Sequence, residues 1–211
     1  MSEMNLNSWR RLWGELGAGT ANGGLLNQLL AAYSEPHRRY HTLQHLREGL
    51  ANFEAAAMLA RRPAEVELAL WFHDAVYDPR RTDNEERSAQ WAHDSVLAAG
   101  CPAEAADRIA DLVRATAHHT RRGDDPDTQL LLDIDLAILG AAPARFDAYE
   151  QEVRAEYGHL DVAAFNAGRL ALVQAFLAQP RLYATAAFHD ALEARARANL
   201  QRSLERLRAA G

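Results

Sequence analysis

The chain has 211 residues, 48% hydrophobic and 25% charged, with a net charge of −6; this suits one globular domain burying roughly 70% of its unfolded surface and argues against a nucleic-acid coat. A lone cysteine, Cys101, excludes a disulfide framework, CxxC redox chemistry and any zinc site needing two thiolates. All 23 basic residues are Arg, and without Lys there is neither a P-loop nor a Schiff-base mechanism.

Alanine and leucine dominate, and β-branched residues are scarce, so the chain reads as all-α: one compact bundle of about eight to ten helices. A first helix over residues 5–16 sets Trp9, Leu12, Trp13 and Leu16 at helical spacing. After a loop at 18–24, a second helix over 25–33 stops at Glu35-Pro36. A long helix is expected over 40–59. Pro63 opens the next, which runs to about Tyr77 and closes at Asp78-Pro79. Thr82-Asp83-Asn84-Glu85 reads as a capping box. The helix it opens ends at Gly100, and Pro102 opens another carrying Ile109, Leu112 and Val113. Polar residues 121–127 form a loop. Residues 130–139 form an apolar helix interrupted by Asp133 and Asp135, and Pro143 starts a helix with Phe146, Tyr149 and Val153. Helices over 161–178 and 185–209 complete the set. No linker divides the chain, and no apolar run approaches the about 20 residues of a membrane span.

Three places put ionisable groups into apolar helical sequence: Tyr40-His41-Thr42-Leu43-Gln44-His45, Trp71-Phe72-His73-Asp74, and Leu132-Asp133-Ile134-Asp135-Leu136. A buried charge is costly unless it is paired or bound to metal. His41 and His45, four apart, are expected on one helix face, and His73-Asp74 in mid-helix. Imidazole nitrogens with carboxylate oxygens suit Mn, Fe, Co, Ni or Zn better than Ca. Each residue alone is commonly just a satisfied core or surface residue; the ordered set weighs more.

That ordered set, His…His-Asp…Asp on helices, resembles the HD-domain metal-dependent phosphohydrolase superfamily. The chain as a whole resembles one bacterial family within it, the predicted metal-dependent HD phosphohydrolases. The further motifs that carry the likeness are Asn84-Glu85-Glu86-Arg87-Ser88-Ala89, His118-His119, Asp133 to Gly140, Tyr183-Ala184-Thr185 and Glu193 to Leu200. The resemblance implies one domain over 1–211, with an HD core at about 37–140 and a helical extension at about 143–211.

It also implies a metal site from His45, His73, Asp74 and Asp135. Asp135 is preferred to Asp133 because Ile-Asp-Leu fits the superfamily pattern; Asp133 is then either an outer support or a helix-surface residue. The Tyr-His-x-x-x-His segment is also similar to cyclic-nucleotide phosphodiesterase catalytic domains, with Thr42 where those have Asn. There the second His binds metal and the first donates a proton, which maps to His45 and His41. In some dinuclear relatives a His-Thr completes a second metal site, and His119 is the candidate over His118; the alternative is a histidine pair that ends a helix.

The implied chemistry is metal-dependent hydrolysis of a phosphoester or phosphoanhydride in a nucleotide or another small phosphorylated metabolite. One or two divalent ions (Mn, Fe, Co, Ni or Zn, with Mg also compatible) would provide metal-bound hydroxide near neutral pH. Asp74 would bridge two metals and orient that hydroxide, and His41 would protonate the leaving oxygen. Arg38, Arg39, Arg80, Arg81 and Arg154 are candidate phosphate ligands, Arg39 first because it lies beside His41. The likeness places one of Asn84, Glu85 and Glu86 at the rim of the site, with Glu85 the candidate substrate contact, whereas a capping box accounts for Glu85 without chemistry. The expected setting is the cytoplasm, with no membrane partner, and homodimerisation is compatible with the amphipathic last helix. Two other readings use the same cluster: a diiron HD-type oxygenase and a non-catalytic nucleotide-binding module.

Overall fold

The computed structural model describes residues 4–118 and 123–209. Ten α-helices and no strand occur among them: α1 Leu6–Glu15, α2 Gly23–Ala32, α3 Leu43–Ala56, α4 Pro63–Phe72, α5 Asn84–Ala98, α6 Ala103–Ala115, α7 Pro126–Asp135, α8 Pro143–Glu156, α9 Val162–Ala178 and α10 Ala186–Ala209. The all-α bundle expected from composition is what forms. None of these helices is long and apolar enough to cross a membrane.

The bundle is organised around α4, whose residues from Glu65 to Phe72 are all buried. It packs on α1, α3, α5, α6 and α7. Trp9 meets Trp13 and Trp71 edge to face, with centroids 5.5 and 5.2 Å apart, a favoured ring geometry. The indole N–H of Trp9 donates to the Asn22 carbonyl and ties α1 to the cap of α2. α10 lies along α9 and the 3-10 segment Leu136–Gly140. Gly140 permits that approach, because a Cβ there would stand 2.7 Å from Leu192 Cβ. Arg145 binds Glu48 and Glu152, which fixes α8 against α3.

Several helices begin or end where Pro63, Pro143, Gly100 and Asp161 foretell. Four expectations fail, and each failure bears on the site. α3 starts at Leu43 rather than Tyr40, because Thr42 is extended and its side chain caps the Gln44 N–H. His41 therefore precedes the helix and does not share a helical face with His45. α4 ends at Phe72 rather than Tyr77, so His73-Asp74 lies at a helix end. The Asp74 and Ala75 carbonyls accept from the Arg38 guanidinium at 2.7 and 3.0 Å instead of continuing the helix. α7 ends at Asp135 and gives way to the 3-10 segment. The capping box at Thr82–Glu85 does not form: the Asp83 side chain caps nothing and pairs with Arg81.

Candidate metal centre

The helix ends that departed from expectation are the ones that converge. His45 stands in the first turn of α3, His73 caps α4, and Asp135 is the last residue of α7. His45 Nε2 is 2.9 Å from His73 Nε2 and 3.3 Å from Asp135 Oδ1. His73 Nε2 is 3.5 Å from the same oxygen. Asp74 Oδ2 adds contacts of 3.3 Å to His45 and 3.0 Å to His73. A metal–ligand bond of about 2.0–2.2 Å places adjacent ligands of an octahedron or tetrahedron about 2.8–3.6 Å apart. The separations of these nitrogen and oxygen atoms fall within that range. The His45, His73 and Asp135 cluster could therefore hold a metal ion.

The imidazole protonation pattern suits ligation. His73 Nδ1 lies 2.8 Å from the Leu70 carbonyl, which can only accept, so Nδ1 carries the proton. Nε2 of the neutral ring is then free to bind. Both imidazoles are buried, 4% and 3% exposed. Burial works against charge on them, but Asp135 and Asp74 outweigh it and raise the proton affinity of both rings, that of His73 well above the ordinary range. Burial likewise opposes charge on Asp74, and His73 and His41 overcome it, holding the carboxyl well below the usual carboxylate range. The field that favours protons on the rings also favours a divalent cation between them.

Asp74 and Asp135 line a cavity of about 550 Å³, within the usual size for a small-molecule site. His41 lines it as well, and its ring is held by a residue the sequence reasoning missed. Glu156, at the end of α8, accepts from the backbone N–H groups of Arg39, Tyr40 and His41 at 2.8–2.9 Å. Its other oxygen accepts from His41 Nδ1 at 2.7 Å and from the Tyr77 hydroxyl at 2.8 Å. The Tyr77 ring stacks on His41 with centroids 4.1 Å apart. Burial opposes the charge of Glu156, but His41 and the backbone donors outweigh it and bring the carboxyl to about 2.

That shift has a measurable sign. The folded-state carboxyl lies below its ordinary 4.5, so its contribution to stability is complete above that value and is lost as pH falls toward about 2. Denaturant melts between pH 5 and 2 should show the wild type losing roughly 2–3 kcal/mol more than Glu156→Gln. Parallel curves for the two proteins would contradict the assignment.

The remaining candidates fall on both sides of the expectation. Glu85 lines the cavity, together with Arg81 and Asn84. Arg39 does not: it is exposed, donates to the Pro36 carbonyl and lines a separate groove of about 990 Å³ beyond Tyr77. That groove is larger, but it contains neither Asp74 nor Asp135. The reason for the misplacement is the turn before α3, which aims successive side chains in different directions. Arg38 is 3% exposed, with its guanidinium on the carbonyls of His41, Asp74 and Ala75. Arg154 is likewise occupied, by the Tyr157 and Leu160 carbonyls.

Asp133 is fully buried, which overturns its alternative as a helix-surface residue. It accepts from the N–H groups of Ala184 and Thr185 and from the Thr185 hydroxyl, at 2.7–2.9 Å, just before α10. His119, the candidate second-site ligand, lies outside the described residues.

No protein-family model, no curated protein and no solved structure matches the chain.

Proposed function

We propose that the protein is a metal-dependent phosphohydrolase of the HD-domain type. Its substrate would be a phosphoester or phosphoanhydride of a nucleotide or another small phosphorylated metabolite, met in the cytoplasm. The observation that carries this reading is the convergence of His45, His73 and Asp135 at ligand spacing, with Asp74 against both imidazoles, beside a cavity that His41 also lines. A transition metal held there (Mn, Fe, Co, Ni or Zn) would polarise a phosphoryl group and acidify a water.

The chain's own residues supply the rest. Asp74, kept anionic, can orient an attacking water by accepting its hydrogen bond. Glu156 accepts from His41 Nδ1, which leaves Nε2 as the nitrogen available to the cavity. Protonated there, it can deliver its proton to the departing oxygen. The Tyr77 ring keeps the imidazole from swinging away.

The test is metal analysis of protein purified without chelator, beside a phosphate-release screen over nucleotides, dinucleotides and sugar phosphates with Mn, Co, Ni and Mg. Stoichiometric metal with phosphate release is expected. Folded protein that takes up no metal and releases no phosphate would overturn the proposal, as would oxygen consumption by an iron-loaded form that releases none. A second outcome concerns His41. His41→Ala should lower kcat about 10²–10⁴-fold on an alkyl phosphate. The loss should be much smaller on 4-nitrophenyl phosphate, whose leaving group needs no proton. An equal loss on both would remove His41 from the acid role.

A further inference from the structure

The cavity beside the candidate metal centre has two unlike walls. His41, Asp74, Arg81, Asn84, Glu85 and Asp135 bring charged and hydrogen-bonding groups to one of them. The other is built by residues 136–176, from the 3-10 segment after α7, from α8 and from α9. Every described lining residue on it is aliphatic, aromatic or glycine, except Arg169. That arginine is already occupied. Its guanidinium carbon lies 5.0 Å over the Tyr149 ring, the Glu150 carboxylate stands 3.8 Å from Nη2, and Nη2 is closed off. The remaining polar side-chain atoms of this wall, among the described residues, are the hydroxyls of Tyr149 and Tyr157.

The chain does not close this wall over with its own described side chains. Leu172 is 38% exposed, and Ile138, Leu160 and Phe165 are half-buried. Behind them Leu139, Val153 and Phe176 are buried and reach the same cavity. Apolar surface in a concavity gains by exchanging its water for an apolar ligand. A nucleobase edge, a sugar or a second phosphate laid against it would give up hydrogen bonds to water and find few partners in return.

We propose that the cavity takes the phosphate monoester of an apolar alcohol, with the phosphate at the metal-binding groups and an alkyl body on the wall of residues 136–176. The phosphate end rests on the hydrolase reading above; the alkyl end rests on this wall. In the reaction water adds to phosphorus and the ester P–O bond breaks. The bonding pair leaves with the alkoxide oxygen, which takes the proton that His41 delivers. The products are the alcohol and inorganic phosphate.

Butylphosphonate and octylphosphonate carry a C–P bond that hydrolysis leaves intact, so they report binding alone. Both are titrated calorimetrically into the Mn-loaded full chain, and phosphate release is measured separately from octyl phosphate and adenosine 5′-monophosphate. The wild type should bind the octyl compound about tenfold or more tightly than the butyl one, at roughly two- to fourfold per buried methylene. Its kcat/KM should be about tenfold or more higher for octyl phosphate than for the nucleotide. The double variant Phe165→Asn and Leu172→Gln should lose most of the octyl preference. Equal affinities for the two phosphonates, no binding of either, a preference untouched in the double variant, or faster turnover of the nucleotide would overturn the inference. So would a wild-type dimer without octyl preference that Leu172→Gln splits, which would assign the wall to a second copy of the chain. Should the double variant fail to fold, Leu172→Gln, at the exposed position, is read in its place. Phosphate release from the nucleotide without an octyl preference keeps the hydrolase and removes this inference; an octyl preference in binding without release from either ester removes the hydrolase and keeps the alkyl site.

Discussion

Alanine in place of His73 is expected to empty the centre of divalent metal and to abolish phosphate release, while the far-ultraviolet signature of the helices is retained. His73 has one nitrogen committed to the Leu70 carbonyl and the other 2.9–3.5 Å from His45, Asp74 and Asp135. Removing it takes away a direct donor, and even an outer partner of a ligand is worth about 10–100-fold in metal affinity. Asp135→Ala should act in the same way, since Asp135 Oδ1 faces both imidazoles. The helices should survive because α4 keeps its buried face from Glu65 to Phe72. Metal analysis and phosphate release are the measurements, and wild-type values for either variant would refute the ligand assignment.

Asp133→Ala should do the opposite: unfold readily, yet bind metal while folded. The Asp133 carboxylate is fully buried and accepts three charge-assisted hydrogen bonds just before α10. Deleting it leaves the Ala184 and Thr185 N–H groups without that acceptor, at a cost of about 3–5 kcal/mol. For a chain of this length, that lowers Tm by roughly 10 °C or more. A variant with an unchanged Tm that has lost its metal would exchange the roles of the two aspartates.

This division of labour shows what was readable in the linear sequence and what was not. Prolines and capping residues marked helix starts such as Pro63, Pro143 and Asp161, because those signals act within a few residues. The metal-binding types stood out because ionisable groups are unusual in apolar sequence. The helix ends at the site escaped notice because distant residues set them. Arg38 terminates α4 by taking the carbonyls of Asp74 and Ala75, 36 and 37 positions away. Glu156 holds His41 across 115 positions. On its own helix Glu156 reads as one more surface carboxylate, and only the packing of α8 against the turn before α3 distinguishes it.

Arg38 also has a mechanical consequence. One planar cation grips the carbonyls of His41, Asp74 and Ala75, so it is a strut between the strap before α3 and the turn after α4. Any drift of one segment drags the other, and the distance between His41 and the Asp74 carboxylate is thereby kept in register. The rings of Tyr33 and Tyr77 lie against its guanidinium at 5.3 and 5.4 Å and leave it little room to tilt. A lysine ammonium, a point charge on a flexible stem, would bind those carbonyls without fixing the angle between them. In this chain the alignment of the working groups is set by an arginine that does not line their cavity.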